Sequence, residues 1–154
     1  MRAGVRVGVD VGSVRVGVAT CDPAGLIATP VATLRRGRGD LDALSRLVTE
    51  REAIEVVVGL PTTLAGRHGA AAEAAQAYAE AVAGAVAVPV RLVDERLSTV
   101  GAQRDLRASG VDTRRGRSVI DQAAAVIILQ AALDAERRSG TAPGRLVGRT
   151  PATD

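Results

Sequence analysis

The sequence contains no tryptophan, phenylalanine or lysine, and only one tyrosine, one histidine and one cysteine in 154 residues. A single cysteine excludes an internal disulfide and is typical of a reducing compartment. One histidine and one cysteine are also too few for a zinc site built on such ligands. Without phenylalanine or tryptophan, the chain lacks the aromatic platform on which proteins stack unpaired bases.

Long hydrophobic runs are missing as well. The longest apolar run, residues 81–90, is interrupted by Gly84 and Pro89 and is far shorter than the roughly 20 residues that cross a bilayer. The N-terminus reaches Arg6 and Asp10 before any long apolar run, so it does not resemble a secretory signal. We therefore expect a soluble, cytoplasmic protein with no membrane partner.

All 20 basic residues are arginine. Genomic base composition is the plain explanation, yet the planar guanidinium suits bidentate contact with phosphate whatever its origin. The arginines form three clusters, which are Arg35, Arg36 and Arg38; Arg114, Arg115 and Arg117; and Arg137 and Arg138. Any one cluster is explained by a solvated surface, but three on a small domain favour a polyanionic partner such as nucleic acid.

Hydrophobic periodicity predicts an α/β fold. Alternating valines predict strands over 4–10 and 14–20, and a third strand over 26–34, where Pro30 indicates an edge strand or a bulge. Asp40 is predicted to cap a helix that ends near Arg51.

The second half alternates strands and helices. The predicted strands are 53–59 and 87–93, and the predicted helices are 70–84, 98–108 and 119–138. The order β-β-β-α-β-α-β-α-α predicts one domain over residues 1–138, a five-stranded mixed sheet with helices on its faces. Residues 139–154 lack periodicity and are predicted to be a disordered tail.

Three carboxylates are candidates for a metal site. Asp10 ends the first strand and Glu95 follows the last one, so parallel strands would place both at one edge of the sheet. Asp121 is predicted in the first turn of the last helix, and the preceding loop, 109–117, spans up to roughly 30 Å, which allows a return to that edge. Three converging carboxylates suit Mg²⁺ or Mn²⁺, and two such ions ~3.5–4 Å apart hydrolyse phosphodiesters.

Each acid also has a structural interpretation. Asp10 is suited to open the turn that follows it. Asp94 and Glu95 are suited to cap the next helix. Ser118 and Asp121 have the S-x-x-D spacing of a capping box.

Four segments carry a family resemblance: "VGVDVGSVRVGVA", "VVVGLPTTLAGRHG", "VRLVDERLSTVGAQ" and "SVIDQAAAVIILQAAL". In this order, across residues 4–135, they resemble the YqgF/RuvX family of bacterial nucleases with an RNase H-like fold. The resemblance implies processing of the 5′ end of pre-16S rRNA, within the small-subunit precursor, by a divalent-metal enzyme. It further implies that Asp10, Glu95 and Asp121 are the catalytic, metal-binding acids.

One departure from related RNase H-like nucleases concerns the fourth strand. Many of them place an acid at its end, whereas here it ends in Gly59, Leu60 and Pro61, which the resemblance implies shape a loop beside the site. The second acid, Glu95, appears one strand over, and a share for Asp94 stays open.

Further residues are candidates for substrate contact. Arg96 suits a phosphate or a neighbouring carboxylate, and Thr99 is ambiguous. His68 is interpreted as a solvated loop residue, with substrate contact as the alternative, and Cys21 as a core residue. The complete set of substrate-binding candidates is Arg15, Gly59, Pro61, Arg96, Thr99, Arg115 and Arg117.

Three rival functions stay open. The first segment also resembles the phosphate-binding hairpin of actin, hexokinase and heat-shock ATPases, although those proteins clamp nucleotide between two such domains. A non-catalytic RNA-binding module for ribosome assembly is possible on the same fold. A Holliday junction resolvase would share the chemistry but act on structured DNA, and it is expected to be a symmetric homodimer.

Overall fold

The computed structural model describes residues 1–61, 69–97 and 114–148, without the side chains of residues 97 and 114–120. In these ranges, six strands form one mixed sheet in the order β3-β2-β1-β4-β5-β6. The strands are β1 (Arg6–Val11), β2 (Arg15–Cys21), β3 (Ala28–Arg35), β4 (Glu55–Leu60), β5 (Val90–Asp94) and β6 (Arg145–Leu146). The helices are α1 (Asp40–Glu50), α2 (Ala70–Ala85) and α3 (Arg114–Ser139), and a 3₁₀ turn (Glu95–Leu97) follows β5.

Alternation along the strands separates two cores. Val7 and Val9 of β1, with Val56 and Val58 of β4, belong to the core that contains the buried residues of α1 and α2. The intervening positions face α3, whose buried residues share a second core with Ala19, Cys21, Val57 and Val93. Helices therefore cover both faces of the sheet.

Helix α3 lies directly on the sheet because glycine leaves room for it. A Cβ atom on Gly8 would stand 2.7 Å from Cβ of Leu129. The arrangement sets α3 antiparallel to β1, since Glu136, near the C-terminal end of α3, bonds Arg6 at the start of β1. The N-terminal half of α3 therefore covers the carboxyl end of β1.

The strand predictions are confirmed to within a few residues, and so is the mixed sheet. Both interpretations of Pro30 hold, because β3 is an edge strand and the β2–β3 register shifts where Ala19 faces Pro30. The sixth strand was not predicted. It is a two-residue segment that pairs with β5.

Three structural predictions differ from what is observed. Residues 145–146 pair with β5 and Val147 is buried, so order extends beyond residue 138; residues 149–154 lie outside the described part. Helix α3 begins at Arg114, not at residue 119, because the last residues of the predicted basic connection are already helical. Asp40 does not cap α1, since Gly39 holds that position and Asp40 instead accepts the hydroxyl proton of Tyr78.

The predicted helix over 98–108 lies outside the described residues. Among the described helices, none is long and apolar enough to cross a membrane.

A buried ion-pair network joins the N-terminus to the sheet edge opposite Asp10. Glu136 accepts hydrogen bonds from Arg2 at 2.6 Å and from Arg6 at 3.0 Å. Glu55 accepts from Arg2 at 3.2 Å and from Arg91 at 2.9 Å. Arg6, Glu55 and Glu136 are at most 2% exposed, so each buried charge has a partner of opposite sign.

The network makes the free energy of unfolding depend on pH. Burial acts to raise the pKa of Glu136, but hydrogen bonds from Arg2 and the charge of Arg6 outweigh it and lower the pKa from 4.5 to about 2. Because the folded pKa is depressed, this stabilisation is complete above pH 4.5 and is lost as the pH falls toward 2.

We predict that Glu136→Gln lowers the free energy of unfolding at pH 7 by about 3 kcal/mol, because it leaves buried arginines without their counter-charge. The difference in unfolding free energy between wild type and Glu136→Gln narrows as the pH falls from 4.5 toward 2. Urea unfolding across this range measures both effects. Asp134→Asn, on the same helix but with a side chain 46% exposed, is the matched control and is expected to cost less than about 1 kcal/mol. Equal stability of wild type and Glu136→Gln at pH 7 would contradict the prediction.

Candidate active site

Asp10 lies inside β1, one residue before the strand ends, and is 1% exposed. The turn to β2 begins after Val11, so the interpretation of Asp10 as a turn opener is wrong. On β2 its cross-strand partner is Gly17. On β4, Val58 pairs with Val9, which places the next residue, Gly59, beside Asp10. Neighbouring strands lie about 4.8 Å apart, and glycine on both sides leaves space around the carboxylate.

The other two acids approach through this space. Oε2 of Glu95 is 2.8 Å from the position that a Cβ on Gly59 would occupy. The backbone carbonyl oxygen of Asp121 is 2.0 Å from the corresponding position on Gly17. Glu95 and Asp121 therefore flank Asp10 on opposite sides, and the structure brings all three predicted acids to one edge of the sheet.

All three acids are buried, with Glu95 7% and Asp121 4% exposed. Burying carboxylates close together is costly unless positive charge or hydrogen bonds stabilise them. Arg15, the first residue of β2, supplies one such charge, since its Nε donates to Oδ2 of Asp121 at 3.1 Å. The predicted substrate contact Arg15 is thus a partner of a candidate catalytic acid.

The donor set fits a hard divalent cation, because carboxylate oxygens are the ligands that Mg²⁺ and Mn²⁺ prefer. As they stand, however, no three histidine, cysteine, aspartate or glutamate side chains within the described ranges are close enough together to hold a metal ion. To bind an ion, Asp121 would have to give up its hydrogen bond with Arg15.

Asp94 and Arg96 bind each other. Oδ1 of Asp94 accepts the backbone amide proton of Arg96 at 2.9 Å, and its Oδ2 accepts from Nε of Arg96 at 2.8 Å. Asp94 therefore caps the 3₁₀ turn that carries Glu95. The helix that Asp94 and Glu95 are predicted to cap lies outside the described residues. Of the two roles considered for Arg96, the structure displays the pairing with a carboxylate.

Some predicted site residues are only partly described. Pro61 directly follows β4, which ends at the candidate site. Arg115 and Arg117 belong to the first turns of α3, which begins at the sheet edge of Asp10, but their side chains lie outside the described residues. Thr99 and His68 also fall outside the described ranges.

The capping-box alternative for Asp121 is wrong. Helix α3 begins at Arg114, so Ser118 lies inside the helix and does not precede it. Asp121 is in the third turn, and its place over Gly17 follows from helix packing.

Sequence reasoning missed the role of Gly17. A signal was present, because glycine in a strand interior marks a close approach of another backbone. The alternation "VRVGVA" puts Gly17 on the same face as Arg15, which is the face that α3 covers.

We predict that Gly17→Ala lowers the free energy of unfolding by about 2 kcal/mol or more, because the added methyl group meets the carbonyl of Asp121. Gly84→Ala is the matched control. A Cβ at Gly84 meets nothing within 4 Å in helix α2, so alanine there is expected to stabilise by about 0.5–1 kcal/mol. Urea unfolding of both variants tests the close approach of α3 to Gly17. A Gly17→Ala variant as stable as wild type would disprove it.

Known proteins resemble this chain in sequence and in fold. A relative from Thermobifida fusca, named "Putative pre-16S rRNA nuclease", is 55% identical over 159 residues, covering 98% of this chain and 100% of the relative. One from Streptomyces avermitilis with the same name is 58% identical over 149 residues, covering 94% of each chain.

Among solved structures, Thermus thermophilus RuvC in complex with a Holliday junction substrate aligns with a TM-score of 0.59 at 14% identity, covering 90% of this chain and 99% of RuvC. This likeness confirms the predicted RNase H-like fold and, at such low identity, the fold alone. The model of one family, described as "RuvX: Holliday junction resolvase", matches residues 4–135. Together with the relatives at 55% and 58% identity, this match establishes that the chain belongs to the RuvX family.

Proposed function

We propose that this chain is a metal-dependent nuclease that hydrolyses phosphodiester bonds and processes the 5′ end of pre-16S rRNA in the small-subunit precursor. The observation that carries the proposal is the placement of three buried carboxylates at one sheet edge, with the guanidinium of Arg15 on one of them. The names of the relatives from Thermobifida and Streptomyces support the choice of substrate. The site of action would be the cytoplasm, where ribosomal precursors are assembled.

Asp10, Glu95 and Asp121 would hold Mg²⁺ or Mn²⁺. Such an ion, when bound, supplies an activated water and stabilises charge on the leaving oxygen. Burial of the three acids limits the access of bulk water to them. Asp10 is the most rigid of them, because it projects from a central strand that pairs on both sides.

Arg15 has two roles in this proposal. Without substrate it neutralises Asp121 at 3.1 Å. If Asp121 were to hold an ion instead, the guanidinium of Arg15 would stay at the same edge. There it could bind a phosphate of the substrate backbone by its planar fork.

Recognition would use the phosphate backbone and the shape of the RNA. Tyr78, the one tyrosine of a chain without phenylalanine or tryptophan, is 6% exposed. It cannot offer its ring to an unpaired base. Binding is therefore expected to be steeply salt-dependent, and Arg96, Arg115, Arg117 and Thr99 are the further proposed contacts.

Resolution of Holliday junctions is the second candidate function. The description of the RuvX family and the fold of RuvC favour it. It uses the same acids, but cutting a four-way junction symmetrically requires two sites in a homodimer. The substrate in the assay below decides between the two.

The test is cleavage of a 5′-extended 16S precursor in assembled small subunits, with a labelled four-way DNA junction in parallel. We predict that wild type cuts the RNA in Mg²⁺ or Mn²⁺ but not in EDTA. We also predict that Asp10→Asn reduces the rate by at least about 100-fold, because it removes a proposed metal ligand. Circular dichroism of the variant verifies that it is folded.

Asp134→Asn is the matched control, because Asp134 is exposed and lies toward the C-terminal end of α3, away from the acids, and it is expected to retain activity. Junction cutting without RNA cutting would assign the chain to recombination. Equal activity of wild type and Asp10→Asn would refute the carboxylate site. Specific RNA binding without any cleavage would establish the non-catalytic alternative.

A further inference from the structure

The loop between β3 and α1, residues 35–39, has the sequence RRGRG and carries three arginines that the proposed mechanism does not use. Strand β3 is antiparallel to β2, as β1 is, so β3 ends at the same sheet edge as β1. Arg35, its last residue, is the cross-strand partner of Arg15. The loop therefore lies beside the candidate active site, on the side away from β5.

Arg36 fastens this loop to the turn that follows Asp10. Its guanidinium Nη1 donates to the carbonyl oxygen of Gly12 at 3.1 Å, and its backbone amide donates to the carbonyl of Val14 at 2.8 Å. The same guanidinium lies over the ring of Tyr78, 5.4 Å from the centroid, within the range of a cation–π contact. Arg36 thus connects the loop, the β1–β2 turn and helix α2.

Tyr78 and Asp40 hold the loop in this position through hydrogen bonds. The hydroxyl of Tyr78 donates to Oδ2 of Asp40 at 2.6 Å, while Oδ1 of Asp40 accepts the amide proton of Gly37 at 3.1 Å. Burial acts to raise the pKa of Asp40, but the hydrogen bonds from Tyr78 and nearby backbone amides outweigh it and lower that pKa. The carboxylate that holds the loop is therefore ionised at neutral pH.

Arg35 and Arg38 differ from Arg36 in being exposed. In the part of the chain that the structure describes, neither guanidinium forms an ion pair. Two unpaired cations thus project from a loop whose backbone is fixed at the edge of an acidic site. Because the loop backbone is already fixed, binding through these arginines does not carry the entropy cost of ordering the loop.

We propose that Arg35 and Arg38 bind backbone phosphates of the nucleic-acid substrate on the β3 side of the scissile bond, with Arg36 as the positioning residue. This inference rests on the proposed nuclease function. Strand β3 is the second strand from β1, about 10 Å across the sheet. Phosphates of one strand advance about 3.4 Å along a duplex, so the contacts fall a few nucleotides from the cut.

The ligand class is the sugar-phosphate backbone, not particular bases. Among the described residues, the aromatic ring near the loop is that of Tyr78, which is buried beneath Arg36. The substrate strand would run along the carboxyl edge of the sheet. It would pass from the acids, which lie at the ends of β1, β4 and β5, toward the arginines on β2 and β3. Such contacts position a strand without reading its sequence.

The test measures binding without cleavage. The probe is a fluorescein-labelled RNA hairpin, bound to Asp10→Asn protein in EDTA over a series of KCl concentrations. Adding Arg35→Gln and Arg38→Gln is expected to reduce the slope of log Kd against log salt by about 1.4–1.8, since each phosphate contact contributes about 0.7–0.9. Affinity should fall equally for hairpins of unrelated sequence.

The control is the pair Arg51→Gln and Arg138→Gln, which removes the same charge. Both residues are exposed, and each lies just past or near the end of a helix at the opposite sheet edge. This pair is expected to leave the slope nearly unchanged. An equal slope change in both pairs would overturn the loop site, because only net charge would then matter.

The positioning role of Arg36 has its own readout. In an Arg36→Gln background, the effect of changing Arg35 and Arg38 should be smaller than in the parent, because a misplaced loop no longer reaches the phosphates. Additive effects would overturn the positioning role. Since the assay reads binding, a negative result refutes only the loop site. Cleavage that survives Asp10→Asn refutes the proposed carboxylate site, and the absence of cleavage by wild type refutes the proposed nuclease.

Discussion

The close approach of α3 to the sheet is the constraint on which the rest depends. Three strands carry glycine beneath this helix, and a Cβ on Gly8, Gly17 or Gly59 would stand between 2.0 and 2.7 Å from an atom of α3. At these three positions the helix therefore packs directly on strand backbone, while side chains such as Val57 and Val93 fill the space elsewhere. This packing puts Asp121 beside Asp10, and the same gap at Gly59 admits Glu95.

The face of the sheet under α3 carries charge at both ends, with different consequences. At one end, Arg6 and Glu136 are buried in an ion-pair network within the chain, which we interpret as stabilising the fold. At the other end, the acids lie at the open carboxyl edge of the sheet, where α/β folds place their sites. The arginines on β2 and in the β3–α1 loop border that edge, which makes phosphate the ligand that its chemistry suits.

Much of the fold followed from alternation in the sequence, because one face of each strand packs on α1 and α2 and needs valine. The edge position of Asp10 and Glu95 followed from parallel strands. The start of α3 could not be predicted, since a polar, basic segment has no hydrophobic period to mark it. Strand β6 is two residues long and exposed, too short for any period. The pairing of Arg15 with Asp121 joins residues 106 positions apart, and only the packed helix brings them together.

Anomalous scattering from a crystal soaked in Mn²⁺ would test the central claim most directly, since it locates the ion without relying on activity. The account predicts a peak coordinated by Asp10, Glu95 and Asp121, with the guanidinium of Arg15 turned away from Asp121, and no such peak in Asp10→Asn crystals. A peak held by Asp94, or the same peak in the variant, would contradict it. So would a fully soaked crystal in which Arg15 still bonds Asp121 and no ion lies between the acids.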